Sequence, residues 1–149
     1  MHATMQPMAK IKHIAIASSN PDKTAEFYKR VFDLTEVGRV DNSNAVGCYF
    51  SDGSVNLAIL YFRDPIMAGP EFGADYSGIH RIGFQVDDAA ETESKLRENN
   101  SEPRSDINAV TRSSTGMSHD GRNVETKYSG PDGIMLDIWQ AGWVGTEES

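Results

Sequence analysis

Residues 10–17 alternate in polarity, with Ile14 and Ile16 on one parity and His13, Ala15 and Ala17 on the other, which predicts a strand. Asn20 and Pro21 then supply a cap and a first helical residue, and Phe27, Tyr28, Val31 and Phe32 follow as an apolar stripe at helical spacing. Residues 35–40, 45–51 and 54–61 read as three further strands, with Ser51-Asp52-Gly53 turning between the last two. The phrase then recurs. Residues 79–86 alternate in the same way, and Asp88 with Glu91 opens a helix running to about Glu98. Short strands are expected near 103–108, 122–128 and 133–139, with Gly130-Pro131-Asp132-Gly133 as the last tight turn. Residues 109–121, rich in Ser, Thr and Gly, read as a long mobile loop and a lid candidate.

The expected organisation is a leader at 1–9, a βαβββ module at 10–62, a linker at 63–77 carrying Pro65, Gly69, Pro70 and Gly73, a second βαβββ module at 78–140, and a tail at 141–149. Superposing the two copies by their apolar beats places His13 opposite Arg81, while His80 falls one residue early. One residue of slip moves a side chain to the other face of a strand. Arg81, Gly83 and Gln85 thus share one face, and His80 shares the other with Ile82, Phe84 and Val86 unless a bulge turns it.

Composition narrows the function classes. With 149 residues, 38% of them hydrophobic and 24% charged, the chain is long enough for one compact core. No apolar run approaches the roughly 20 residues of a membrane helix. Met1 to Ala9 lacks the apolar centre of a signal peptide, and Met1, Met5 and Met8 leave the natural start open. Cys48 is the single cysteine, so an internal disulfide is excluded and a reducing cytoplasm is the expected location. A net charge of −8 argues against nucleic acid as a partner.

The repeat resembles the vicinal oxygen chelate superfamily, which includes glyoxalase I, methylmalonyl-CoA epimerase, extradiol dioxygenases and bleomycin-resistance proteins. The similarity is carried by His13-Ile-Ala-Ile, by Asp22-Lys-Thr-Ala-Glu-Phe-Tyr, by Gly83-Phe-Gln-Val-Asp-Asp and by Pro131-Asp-Gly-Ile-Met-Leu-Asp137, over roughly residues 10–140. It implies an α+β fold of paired βαβββ modules whose curled mixed sheet surrounds a central cavity. Members of this family usually hold one divalent metal there, and chains of this length often form homodimers.

Carried over by position, the metal ligands are His13, which matches, Asn56, where relatives carry Glu or Gln, Arg81, which cannot ligate, and Asp137, one methylene shorter than the usual Glu. His13 and Asp137 are the expected catalytic and metal residues, with Asn56 or an inward-turned His80 as a further ligand. Arg81 is expected to pair with Asp137, to grip a ligand carboxylate or phosphate, or to point at water from the rim. Asn56, Glu125, Lys127 and Trp139 complete the expected ligand contacts, although the alternation at Glu125, Lys127 and Tyr128 also reads as a surface ladder. His119, in the long loop, is an acid or base candidate, and Trp143 is expected to pack the tail.

The expected function is binding of a small anionic organic molecule in the cavity, beside a degenerate metal site. The alternatives are a metal-dependent lyase or isomerase of the glyoxalase or epimerase type and an extradiol-type Fe(II) dioxygenase. Whether the protein is an enzyme, and whether Fe, Mn, Ni, Co or Zn is bound, stays open at this point.

Overall fold

The computed structural model describes residues 9–73, 75–115 and 125–146. His119 and the rest of 116–124 lie outside the described residues, as do 1–8 of the leader and 147–149 of the tail. The first half runs β1 (Ala9–Ala17), α1 (Pro21–Phe32), β2 (Thr35–Asp41), β3 (Ala45–Ser51) and β4 (Asn56–Phe62). A short α2 (Pro65–Ala68) lies inside the expected linker, capped by Asp64, whose side chain accepts from the Ile66 and Met67 amides. The second half runs β5 (Gly78–Val86), α3 (Ala89–Glu98), α4 (Ser105–Thr115), β6 (Thr126–Ser129) and β7 (Met135–Trp139).

The described strands form one mixed sheet, ordered β2-β3-β4-β1-β5-β7-β6, which curls without closing. The fold class is as expected. Each half pairs its first and last strands in parallel, and the halves meet along the antiparallel β1–β5 pair. That central pairing carries two bulges, which pass over Lys12 and His80. They bring His13 opposite Gly83, and Arg81 opposite Ala15.

Two segments differ from the sequence reading. Residues 103–108 form no strand. Pro103 makes a single bridge to Tyr128, and α4 begins two residues later. The helix replaces the strand because Asn108 supplies the strand's hydrogen bonds: its amide donates to the Lys127 carbonyl (3.1 Å) and its oxygen accepts from the Lys127 amide (2.7 Å). The edge of β6 is thereby satisfied by a side chain and covered by a helix. The first part of the expected loop, 109–115, belongs to the same helix.

The stripe on α1 is buried only in part. Asn20 caps the helix through the Lys23 amide, as expected. Tyr28 and Ala25 pack against Cys48, Phe50 and Ile59, but Phe27, Val31 and Phe32 remain 54%, 56% and 59% exposed. No described helix is long and apolar enough to cross a membrane.

Candidate ligand cavity

Strand register assembles the chemistry in one row. Asn56 on β4 pairs with His13 on β1, His13 with Gly83 on β5, Gly83 with Asp137 on β7, and Asp137 with Lys127 on β6. Residues paired in register project from the same face, so four side chains line up across five strands, with Gly83 leaving a gap between His13 and Asp137. The neighbouring row runs Tyr49, Ala58, Ala15, Arg81 and Met135. Its two alanines place little between Tyr49 and Arg81, and above them lies a cavity of about 320 Å³. His13, Asn56, Arg81, Glu125, Lys127 and Trp139 all line it, and Leu60, Phe62 and Met67 form an apolar side.

The charged groups are buried and paired. Arg81 Nε donates to Asp137 Oδ2 at 2.6 Å, and Lys127 Nζ lies 2.9 Å from Oδ1 in ionic contact. Lys127 also donates to Glu125 Oε1 at 2.8 Å, and the other Glu125 oxygen accepts from the Trp143 indole at 2.9 Å. Asp137 is fully buried, which alone would raise its pKa, but Lys127 and Arg81 hold it well below the usual carboxylate range. Burial disfavours the charge on Arg81, yet Asp137 and Glu125 overcome this and raise its pKa. Lys127 is 2% exposed and Tyr128 is buried on the opposite face against Val86 and Ile138, so this strand is no surface ladder.

His13 is 1% exposed and is held at about 4 by burial and by the Arg81 charge, so it is neutral at pH 7. Its tautomer follows from Asn56. The Asn56 amide nitrogen donates to the Val144 carbonyl at 2.9 Å, which directs the Asn56 oxygen toward His13 Nδ1 at 2.8 Å. Nδ1 therefore carries the proton and Nε2 the lone pair. Nε2 has no hydrogen-bond partner among the described residues, and Asp137 Oδ2 is 3.8 Å away.

His80 faces the other way. Its ring packs between Phe62 and Phe72, Nε2 donates to the Ala68 carbonyl at 2.8 Å, and Nδ1 accepts from Arg81 Nη1 at 3.2 Å. The bulge at His80 therefore does not add it to His13 and Asp137, and the expected iron set of those three residues is not assembled. Burial and then Arg81 lower its pKa to about 4, so it acts as a neutral acceptor that steers the guanidinium. The Arg81–Asp137 contact is consequently single, through Nε, rather than bidentate.

These donors do not fit a divalent metal. Both oxygens of the one carboxylate in the row already face cations, and a third positive charge placed there would be repelled by two buried ones. The Asn56 oxygen already accepts from His13, which engages one of its two lone pairs. No group of three His, Cys, Asp or Glu side chains among the described residues converges on one point.

Three contributors escaped the sequence reading. Tyr49 enters through the row above. Trp143 and Val144 come from residues 140–146, which fold back over the cavity instead of trailing away. The Trp143 ring stacks on His13 with centroids 4.8 Å apart and planes 5° from parallel, and meets Trp139 edge-on. Gly83 makes this contact feasible, because a Cβ there would stand 2.8 Å from the indole and 2.7 Å from His13 Cβ. The signal available in the sequence was the pair of glycines, Gly142 and Gly145, around the second of two tryptophans.

Comparison with known proteins agrees with this architecture. A family model for the Glyoxalase/Bleomycin resistance protein/Dioxygenase superfamily matches residues 10–138. Among solved structures, a hypothetical protein from Bacillus halodurans C-125 is 16% identical with a TM-score of 0.63, covering 89% of this chain and 94% of that one. A Streptomyces coelicolor methylmalonyl-CoA epimerase variant in complex with 2-nitronate-propionyl-CoA is 20% identical with a TM-score of 0.62, covering 89% and 96%. Methylmalonyl-CoA epimerase from Mycobacterium tuberculosis is 14% identical with a TM-score of 0.62, covering 93% and 92%. No curated protein matches the chain. The match over residues 10–138, together with the paired-strand sheet, shows that the chain belongs to the Glyoxalase/Bleomycin resistance protein/Dioxygenase superfamily.

Proposed function

We propose that the protein binds a small organic acid in its central cavity without a resident metal, using Arg81 and neutral His13 as the ligand-facing polar pair. The observation that carries this reading is the position of Asp137, clasped between Arg81 and Lys127 where family members place a metal-ligating carboxylate. Arg81 and Lys127 supply the positive charge that this carboxylate faces. Arg81 Nη2 has no hydrogen bond to the described residues and remains for a ligand acid group. The apolar side formed by Leu60, Phe62 and Met67 suits a short carbon skeleton. Elemental analysis after purification without chelator, followed by calorimetric titration with Fe, Mn, Ni, Co and Zn, is expected to show no stoichiometric binding. Stoichiometric metal that His13→Ala abolishes would overturn the reading.

A second reading, an isomerase acting on an acyl thioester, is supported by the epimerase structures among the neighbours. Deuterium exchange from solvent into methylmalonyl-CoA, followed by NMR with and without Co(II), separates it from pure binding. The proposal includes a homodimer in a reducing cytoplasm. Exposed Phe27, Val31 and Phe32 offer an apolar face, and Cys48 is a buried free thiol. Light scattering at the 16.4 kDa monomer mass would refute the dimer.

A further inference from the structure

His13 presents an acceptor that none of the described residues satisfies. Nε2 carries the lone pair, lacks a partner among the described residues, and has almost no accessible surface. Buried acceptors in native proteins are ordinarily bonded, so an orphan one marks a place where a donor belongs. The indole of Trp143 covers one face of the ring. With so little of the nitrogen accessible, a molecule can touch it only after one of its neighbours moves, and the indole is the neighbour carried on a segment outside the sheet.

The cover is built to move. Residues 140–146 follow the last strand and join no sheet ladder. Side chains fasten them instead: Gln85 donates to the Gln140 carbonyl, Ser51 to the Gly145 carbonyl, Asn56 to the Val144 carbonyl, and the indole to Glu125. A segment held by a few side-chain bonds opens far more readily than a paired strand. Gly142 and Gly145, at φ +84° and +83°, bracket the two residues that wall the cavity. The slot above Gly83 receives the indole itself.

We propose that residues 140–146 are a releasable strap over His13, and that the molecule admitted beneath it carries a hydroxyl or N–H donor for His13 Nε2 beside an acid group or carbonyl for Arg81. Both groups line the same cavity and both approach one Asp137 oxygen, at 3.8 and 2.6 Å, so one small molecule with a donor close to its acid group, such as a short hydroxy acid, can meet the pair. The strap also sets the chemistry it covers. Its Val144 carbonyl fixes the Asn56 amide, and the amide fixes which His13 nitrogen is bare. The ligand class rests on the proposed anion-binding function, whereas the strap does not.

Carbethoxylation of the full-length protein by diethyl pyrocarbonate at pH 7, read residue by residue by mass spectrometry, tests both parts. Trp143→Ala is expected to speed labelling of His13 at least tenfold and Ser51→Ala at least threefold, with His80 unchanged in each. In the unsubstituted protein, the His13 rate should be insensitive to urea below the unfolding transition, the signature of local opening. Equal His13 rates in all three proteins, or a rate that follows global unfolding, would overturn the strap. Lactate is expected to protect His13 better than propionate. Equal protection, or none by either acid, would overturn the donor requirement. The metal titration is independent of both outcomes.

Discussion

Replacing Asp137 with asparagine keeps the shape of the side chain and removes the charge that two buried cations share. Lys127 retains Glu125, but Arg81 loses its one ion-pair contact and keeps the neutral His80 nitrogen, the face of Phe62 with its centroid 5.6 Å away, and the more distant charge of Glu125. Removing one partner of a buried ion pair typically costs about 3–5 kcal/mol, most of it from the charge left behind. For a domain of this size that corresponds to a fall in Tm of roughly 6–20 °C. Urea unfolding of chelator-treated protein at pH 7 measures the loss directly, provided the slope with denaturant is unchanged. Folding depresses the Asp137 pKa, so its contribution is present above the unfolded value of about 3.9 and is lost as pH falls through the folded value. The difference between the two proteins should therefore be full at pH 7 and shrink below about pH 4. A carboxylate reserved for a metal would behave in the opposite way, since removing it from metal-free protein relieves an uncompensated charge. A loss under about 1 kcal/mol at pH 7 would refute the ion-pair account.

The two buried histidines give a second pH signature. Folding lowers each from 6.5 to about 4, so the unfolded chain binds more protons in that interval, and stability should rise with pH from about 4 to 6.5 and level off above. The sum is limited to about 3 kcal/mol for each residue, and His13→Gln should remove the His13 share while leaving that of His80. A flat stability profile between pH 4 and 7 for the unsubstituted protein would contradict this. Asn108→Ala removes two buried hydrogen bonds to the Lys127 backbone and should cost about 2–3 kcal/mol in urea unfolding, with faster amide exchange at Lys127. Unaltered exchange there would show that α4 does not stand in for a strand.

The sequence exposed the frame more readily than the contacts within it. Strand periodicity and caps located β1, α1, β5 and α3, because those signals are local and the elements follow them. The family resemblance named His13 and Asn56 as positions of one site, and the register of β1 with β4 brings their side chains 2.8 Å apart. What stayed hidden depends on partners distant in the chain. A bulge that passes over His80 is a property of two strands, so parity counted along one cannot reveal it. Asn108 looks like a residue in a polar strand until its amide is seen to replace one. Lys127 alternates as a surface residue would, and only the carboxylates from β7 and from position 125 explain how an ammonium is buried there.

Arg81 is the residue on which these strands of reasoning meet. The family resemblance expects a metal ligand at this position, and the guanidinium found there shares its charge with a buried carboxylate instead. Asp137, one methylene shorter than glutamate, receives Arg81 Nε at 2.6 Å, while Lys127 takes its other oxygen. His80 then orients the guanidinium from behind, which gives the misplaced histidine a purpose that needs no metal. His13 presents a lone pair that no described residue uses. Its proton is pinned on the far nitrogen by Asn56, and the bare nitrogen is covered by Trp143. Among the described residues the charged groups of the cavity are thus paired with one another, and His13 Nε2 is the neutral acceptor left for the donor of the ligand we propose.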